Sequence, residues 1–184
     1  MHTPDLPNEL DIVRDMSERL ERGGVPFMLT GSLAMSYYAE PRMTRDVDVV
    51  LAVESADVSR IVALLEKDYF VDSAAIVQAI ATRTSFNAIH REAVIKVDCF
   101  TLKPDPFSAC EFERRRRVTI RDFDTVIVSR EDLIIAKLRW CRETRSQMQL
   151  RDVRNLLDGS FDAAYVDEWT ARLALADVLA EAKR

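Results

Sequence analysis

The sequence predicts an α/β (α+β) protein in which a mixed β-sheet flanked by helices is followed by a helical C-terminal part. Up to about residue 128, short β-rich segments alternate with segments of helical periodicity, which is typical of a sheet covered by helices. From Ser129 onward the apolar spacing is helical throughout. No Pro- or Gly-rich linker separates the two parts. We therefore expect a core over 1–128 and a helical region over 129–184 that packs against it.

The individual elements follow from apolar periodicity and from the residues that end each segment. Leu10, Val13 and Leu20 have the spacing of one helix face, and Gly23-Gly24 end that helix. The next predicted elements are a strand over 25–30, a helix over 33–39, a strand over 46–53 and a helix over 55–68 with Ser55 as its N-cap. They are followed by a helix over 73–83, a hairpin of strands 84–90 and 93–100, a strand pair 116–122 and 125–129, and helices over 130–143, 147–158 and 163–182.

Composition excludes several classes of protein. No run approaches the roughly 18 apolar residues of a membrane span, and the first 16 residues lack the apolar segment of a secretory leader. Three widely spaced cysteines without a CxxC pair favour reduced thiols over a disulfide framework. With only two histidines, a zinc site is not expected. We expect a cytoplasmic protein without a membrane partner.

Charge is unevenly distributed along the chain. The net charge is −5, yet residues 114–154 carry eleven arginines and one lysine against six acidic residues. Such a segment permits a polyanionic partner such as RNA, and a solvated helix face is the alternative interpretation.

Two aspartates on the strand over 46–53 are the first candidate functional residues. Side chains alternate along a strand, so Asp46 and Asp48 point to the same face. Like charges at this spacing cost free energy unless a cation lies between them. Mg²⁺ prefers carboxylate and phosphate oxygens. The pair alone also fits an ordinary surface pattern.

Two neighbouring segments strengthen the case for a site. The strand over 25–30 leads through Gly31-Ser32 directly into a helix, and a helix N-terminus presents free N–H groups to phosphate. On the strand over 93–100, Lys96 and Asp98 share a face. If that strand lies beside Asp46 and Asp48, three carboxylates converge. Lys96 could then form an ion pair with Asp98 or contact a phosphate.

These motifs resemble the DNA polymerase β-like nucleotidyltransferase superfamily, and within it the small prokaryotic members of toxin–antitoxin and abortive-infection systems. "GSLAMSYYAEPRMTRDVDVVL" is similar to the first motif of that superfamily, with thirteen residues between Gly-Ser and the Asp-x-Asp pair. "IKVDCF" is similar to the second motif. "SREDLIIAKLRW" followed by "QLRDVRNLL" resembles a later helical pair that supplies a lysine and an aspartate.

The resemblance implies a role for each matched residue. Asp46, Asp48 and Asp98 would be catalytic and would bind two Mg²⁺ ions, with Mn²⁺ as a possible substitute. Gly31 and Ser32 would hold the β- and γ-phosphates of an NTP such as ATP. The last matched positions are Lys137, which would neutralise phosphate charge, and Asp152 on the following helix.

Two basic residues have alternative interpretations from the sequence itself. Lys137 borders an apolar helix stripe, so we expect its ammonium to emerge at the edge of a packed interface, and simple snorkelling is the alternative. Arg42 could contact the triphosphate or lie on the surface. It is included among the candidate nucleotide-binding residues.

The expected function is transfer of an NMP from an NTP to a hydroxyl group. By resemblance, the acceptor would be an RNA 3′ end such as that of tRNA, or a protein side chain, in a toxin–antitoxin or defence context with a cognate protein partner. A small-molecule, antibiotic-modifying nucleotidyltransferase is an alternative. A protein that keeps the fold without catalysis and binds a partner is the other.

Overall fold

The computed structural model describes residues 6–41 and 46–184, and in this part of the chain seven strands form one mixed sheet. The strands are β1 Phe27–Thr30, β2 Asp46–Leu51, β3 Tyr69–Phe70, β4 Ser85–His90, β5 Lys96–Thr101, β6 Arg116–Ile120 and β7 Phe123–Ile127. Their spatial order is β3-β4-β5-β2-β1-β7-β6. The β2–β5 and β1–β7 pairs are parallel, and the other neighbours are antiparallel. The predicted mixed sheet and α/β class are confirmed.

Helices cover both faces of the sheet. They are α1 Glu9–Arg22, α2 Gly31–Tyr38, α3 Val58–Leu65, α4 Ser73–Thr82, α5 Pro106–Glu113, α6 Arg130–Thr144, α7 Gln147–Leu157, α8 Ala163–Arg172 and α9 Ala176–Ala182. None of the helices in residues 6–41 and 46–184 has both the length and the apolarity to cross a membrane.

Strand alternation divides the interior into two apolar clusters. Leu29 and Val49 lie in the first cluster, together with residues of α1, α3 and α4. Met28 and Val50 point to the opposite face and pack with α2 and α5–α9. The C-terminal helices therefore share one core with the second face of the sheet, and the site described below lies on that face.

The structure corrects the predicted helix over 55–68. Residues Ser55–Asp57 form a 3₁₀ turn, α3 follows, and Tyr69–Phe70 form the short strand β3, which was not predicted. Ser55 is not the N-cap. Glu54 is, and its backbone N–H donates to the Asp57 carboxylate at 2.8 Å, which tightens the first turn.

The predicted helix over 163–182 is two helices. Ala174 has a φ of 54°, in the left-handed region that ends helices. The N–H of Leu175 donates to the carbonyl of Thr170 at 2.7 Å, which closes α8 before α9 begins. Helix α5 was not predicted at all, although Asp105 caps it and Pro106 occupies its first position.

Candidate active site

Three carboxylates converge on the face of the sheet that packs against the C-terminal helices. In the parallel β2–β5 pair, Asp48 is aligned with Asp98, and Asp46 with Lys96. The predicted convergence of Asp46, Asp48 and Asp98 is therefore found in the fold. Side-chain exposure falls from 52% at Asp46 to 19% at Asp98, so the cluster opens to solvent at its Asp46 side.

Asp48 lies in surroundings that are unfavourable for a negative charge. Burial, together with the negative charges of Asp98 and Asp46, raises its pKa from 3.8 to about 6. The ammonium groups of Lys137 and Lys96 act in the opposite direction. A carboxylate in these surroundings gains from any additional cation nearby.

Lys96 reaches across two of these carboxylates. Its Nζ lies 2.8 Å from Asp98 and 3.9 Å from Asp46. The hydrogen bond to Asp98 raises the pKa of Lys96, so the ammonium stays charged. Of the two sequence interpretations, the ion pair is the one seen in this structure.

Gly31 brings a helix N-terminus against Asp48. Its φ is +66°, and a Cβ at this position would lie 1.9 Å from Oδ2 of Asp48. Only glycine fits both requirements. Ser32, 8% exposed, follows in the first turn of α2. The predicted Gly-Ser turn therefore lies against Asp48, and the helix begins at Gly31 rather than at Leu33.

A cavity of about 320 Å³ extends from this turn between the sheet and the helices. Asp48, Val50 and Phe100 lie on its sheet side. Helices α5 and α6 contribute apolar and charged side chains to the opposite wall, and Gln149 lies on α7. The volume is in the range of small-molecule sites.

Lys137 lies on the wall of this cavity in a buried ion pair. Its Nζ donates to Asp152 at 2.7 Å and to Oε1 of Gln149 at 3.1 Å. The side chains of Lys137 and Asp152 are 6% and 1% exposed. The expectation that the ammonium emerges at the edge of an interface was wrong, because α7 closes over α6 and supplies a carboxylate for it.

Glu111 is a site residue that the sequence did not reveal. It lines the same cavity from α5 and is 9% exposed. Burial, with a smaller contribution from the negative charge of Asp132, raises its pKa to about 8. The Asp105-Pro106 pair that starts α5 was the available signal for this helix. Gln149 was not predicted either, because a glutamine that contacts a lysine on another helix has no recognisable pattern in a single sequence.

The three carboxylates are chemically suited to Mg²⁺, but they are not arranged around a metal position in this structure. Among residues 6–41 and 46–184, no three His, Cys, Asp or Glu side chains are arranged to hold a metal ion. The donors themselves are hard oxygens, the kind Mg²⁺ prefers, and a cation would relieve the repulsion that raises the pKa of Asp48. Asp46, Asp48 and Asp98 are therefore the residues whose donor chemistry suits the ion.

Arg42 lies outside the described residues, so its candidate role in phosphate binding stays a prediction.

Most arginines of the basic segment 114–154 contact other groups of the protein. Arg114 lies 3.0 Å from Asp132, which is completely buried, and stacks over the Tyr165 ring at 3.9 Å. Other guanidinium groups pair with carboxylates or backbone carbonyls, namely Arg117 with Glu21, Arg139 with Asp105, Arg142 with Leu173 and Arg154 with Ala182. These contacts pair the arginines within the protein, a role that sequence alone could not separate from polyanion binding.

Known structures share this architecture. The antibiotic-resistance factor ANT(2'')-Ia matches with a TM-score of 0.63 at 12% identity, over 94% of this chain and 95% of the other. An antigenic nucleotidyltransferase-like protein from Paracoccidioides brasiliensis matches with a TM-score of 0.56 at 16% identity, over 98% and 95%. The lincosamide antibiotic adenylyltransferase LnuA in its lincomycin-bound form matches with a TM-score of 0.54 at 12% identity, over 83% and 98%.

Neither a protein-family model nor a curated protein matches the chain by sequence. At these identities the structural likeness concerns the fold. The chain has the fold of nucleotidyltransferase-like proteins over nearly its whole length.

Proposed function

We propose that this protein is a Mg²⁺-dependent nucleotidyltransferase that moves an NMP from an NTP to a hydroxyl acceptor and releases pyrophosphate. The observation that carries the proposal is the meeting of three carboxylates with a Gly-Ser helix start on one wall of a cavity. The fold shared with ANT(2'')-Ia and LnuA supports it.

In this proposal the chain supplies the phosphate contacts. The N–H groups at Gly31 and Ser32 donate to the β- and γ-phosphate oxygens. Lys137 faces the same cavity, and its positive charge, shared with Asp152, favours the phosphate at that wall. Asp46, Asp48 and Asp98 would hold Mg²⁺, which stabilises the charge on the attacking and leaving oxygens when bound.

The transfer step balances without any further reactant. The acceptor hydroxyl oxygen forms a bond to the α-phosphorus, and the bond from that phosphorus to the bridging oxygen of pyrophosphate breaks. A carboxylate of the cluster accepts the hydroxyl proton. Gly31 keeps the turn close to Asp48, so the phosphate and the carboxylates stay within reach of each other.

The test is label transfer from each α-labelled NTP, with Mg²⁺, into the RNA, protein and small-molecule fractions of a cell extract. Wild type is compared with Asp48→Asn, which keeps the shape of the side chain. We expect a loss of at least about 10²-fold in the variant, in line with the removal of one electrostatic stabiliser. Equal transfer by both proteins would overturn the proposal.

A small-molecule acceptor is the second candidate, and the cavity favours it. Its volume suits a small ligand, whereas most arginines on which an RNA surface would depend already have partners within the fold. One structure of ANT(2'')-Ia contains adenylyl-2''-tobramycin, and LnuA was solved with lincomycin. An RNA 3′ end and a protein side chain remain the other proposed acceptors, with the toxin–antitoxin setting a prediction.

The acceptor classes separate in one experiment. Label that enters aminoglycosides or lincosamides in the absence of RNA and protein supports the small-molecule acceptor. Label confined to nuclease-sensitive material supports RNA, and label confined to protease-sensitive material supports a protein acceptor.

The non-catalytic alternative makes a different prediction. A protein that keeps the fold only to bind a partner would show no NTP binding in millimolar Mg²⁺. Calorimetry with wild type and Asp48→Asn distinguishes the two, because the catalytic proposal requires binding that the substitution weakens.

A further inference from the structure

The parallel pairing of β2 and β5 creates an unfavourable contact beside a favourable one. Asp48 is aligned with Asp98, and like charges directly opposite on a sheet destabilise it. Two residues along the strands, on the same face, Asp46 is aligned with Lys96. The lysine thus stands next to the position where negative charge accumulates.

The Lys96 ammonium lies between the carboxylates of Asp46 and Asp98. It lies 2.8 Å from Asp98 and 3.9 Å from Asp46, which are distances of direct ion pairing. Its charge also lowers the pKa of Asp48. One monovalent cation therefore offsets part of the repulsion of all three carboxylates.

Exposure shows that this cation is held loosely. The Lys96 side chain is 39% exposed and that of Asp98 is 19% exposed. Exposed ion pairs contribute little to stability, and lysine carries its charge on a flexible stem with four carbons. The contact can therefore be exchanged for another cation without unfolding the strand.

We propose that Lys96 is an internal counter-ion of the carboxylate cluster, which pairs with Asp98 and Asp46 in the metal-free protein and is displaced by a divalent cation. This inference rests on the proposed function, because it takes the three carboxylates as the metal ligands. It assigns Lys96 the role of a positioning residue: the lysine keeps the carboxylates together before the ion arrives and competes with it.

The proposal differs from two simpler roles of the same lysine. A permanent structural ion pair would hold Asp98 in place, and its loss would weaken divalent binding. A phosphate contact would leave binding of the free ion unchanged. Competition alone predicts that removing the ammonium tightens the binding of a divalent ion in the absence of nucleotide.

The test is Mn²⁺ binding without nucleotide, followed by electron paramagnetic resonance of the free ion. Lys96→Met and Lys96→Gln both remove the charge, and Lys96→Arg keeps it. Lys103→Met is the matched control, since Lys103 lines the same cavity but lies beyond the end of β5. Asp48→Asn identifies binding at the cluster, and thermal unfolding verifies that each variant is folded.

We expect Lys96→Met and Lys96→Gln to lower the Kd of Mn²⁺ by roughly five- to tenfold, the size of a lost charge at a solvated site. Lys96→Arg and Lys103→Met should bind as wild type does. Unchanged or weaker binding in both neutral variants, while Asp48→Asn still abolishes binding in the wild-type background, would overturn the role of Lys96. Wild-type binding that Asp48→Asn leaves intact would instead overturn the metal site on which the proposed function depends.

Discussion

Two lysine–aspartate pairs of nearly equal length lie on the same side of the sheet, in opposite environments. Lys137 is 2.7 Å from Asp152, and Lys96 is 2.8 Å from Asp98. The first pair is 6% and 1% exposed, and the second is 39% and 19% exposed. By distance alone the two pairs would be equivalent, but their different burial gives them different contributions to stability.

The difference indicates which pair is fixed and which can be exchanged. Removing one member of a buried pair leaves an uncompensated charge in a medium of low polarity. Removing one member of an exposed pair leaves a charge that water can solvate. The pair on α6 and α7 therefore acts as a fixed part of the cavity wall, whereas the pair on β5 belongs to a cluster with surplus negative charge.

The largest effect is expected from Asp152→Asn. The substitution leaves the Lys137 ammonium buried without its carboxylate, which should lower the free energy of unfolding by about 3–5 kcal/mol. Urea unfolding measures the loss.

The double variant Lys137→Met/Asp152→Leu should recover most of that stability, since an apolar pair of similar volume can replace a buried ion pair. The double variant should be inactive in nucleotide transfer, because it lacks the Lys137 ammonium that is proposed to attract the phosphate. A double variant as unstable as Asp152→Asn would contradict the assignment of a fixed buried pair.

Glu111 should make stability fall with rising pH. Its pKa of about 8 in the folded protein exceeds the ordinary value of 4.5, so the folded state retains the proton longer than the unfolded state. The contribution of Glu111 is then complete below pH 4.5 and is lost as the pH rises through 8.

The substitution Glu111→Gln removes this titration. At pH 9 the variant should be more stable than wild type by about 4 kcal/mol, and at pH 5 the two should be similar. Unfolding free energies measured at pH 5, 7 and 9 provide the comparison. Parallel curves for the two proteins would show that Glu111 does not titrate in this range.

Asp48→Asn should stabilise the metal-free protein while it abolishes transfer. The folded pKa of about 6 lies above the ordinary value of 3.8, so ionised Asp48 lowers stability as the pH rises through this window. At pH 7.5 without divalent ions we expect a gain of about 1–2 kcal/mol, measured by thermal unfolding. The gain should disappear at pH 3.5, where wild-type Asp48 is protonated too.

Lys96→Met should have the smallest effect on stability. Loss of this exposed pair should cost no more than about 1 kcal/mol in the absence of divalent ions. Thermal unfolding in parallel with Asp152→Asn tests the contrast directly. A loss as large as that of Asp152→Asn would show that exposure does not separate the two pairs.

Much of the site on the sheet was predictable because strand alternation and motif spacing are local. Periodicity alone places Asp46 and Asp48 on one face of their strand, and Gly31 is required by a turn that the sequence marks. The adjacency of β2 and β5 was a conditional expectation, since strand pairing depends on contacts between distant parts of the chain.

The cavity wall was less predictable because it depends on tertiary contacts. Lys137 is buried because it pairs with Asp152 on the next helix. The packing of α6 against α7 that brings the two side chains together cannot be derived from the sequence of either helix alone. Helix α5 was not predicted because its eight residues have little amphipathic periodicity. Glu111, which lies on this helix, was therefore missed as well. The internal partners of the arginines likewise become visible only when distant carboxylates and carbonyls are brought together.

The most direct measurement of the central claim is nucleotide transfer by Asp48→Asn, Asp98→Asn and the double variant, each with Mg²⁺ and the acceptor fraction that wild type labels. If the carboxylates act as one unit, each single variant should lose at least about 10²-fold, and the double variant should be little worse than either single one. Losses that multiply in the double variant, or single variants with wild-type rates, would contradict a shared catalytic site on β2 and β5.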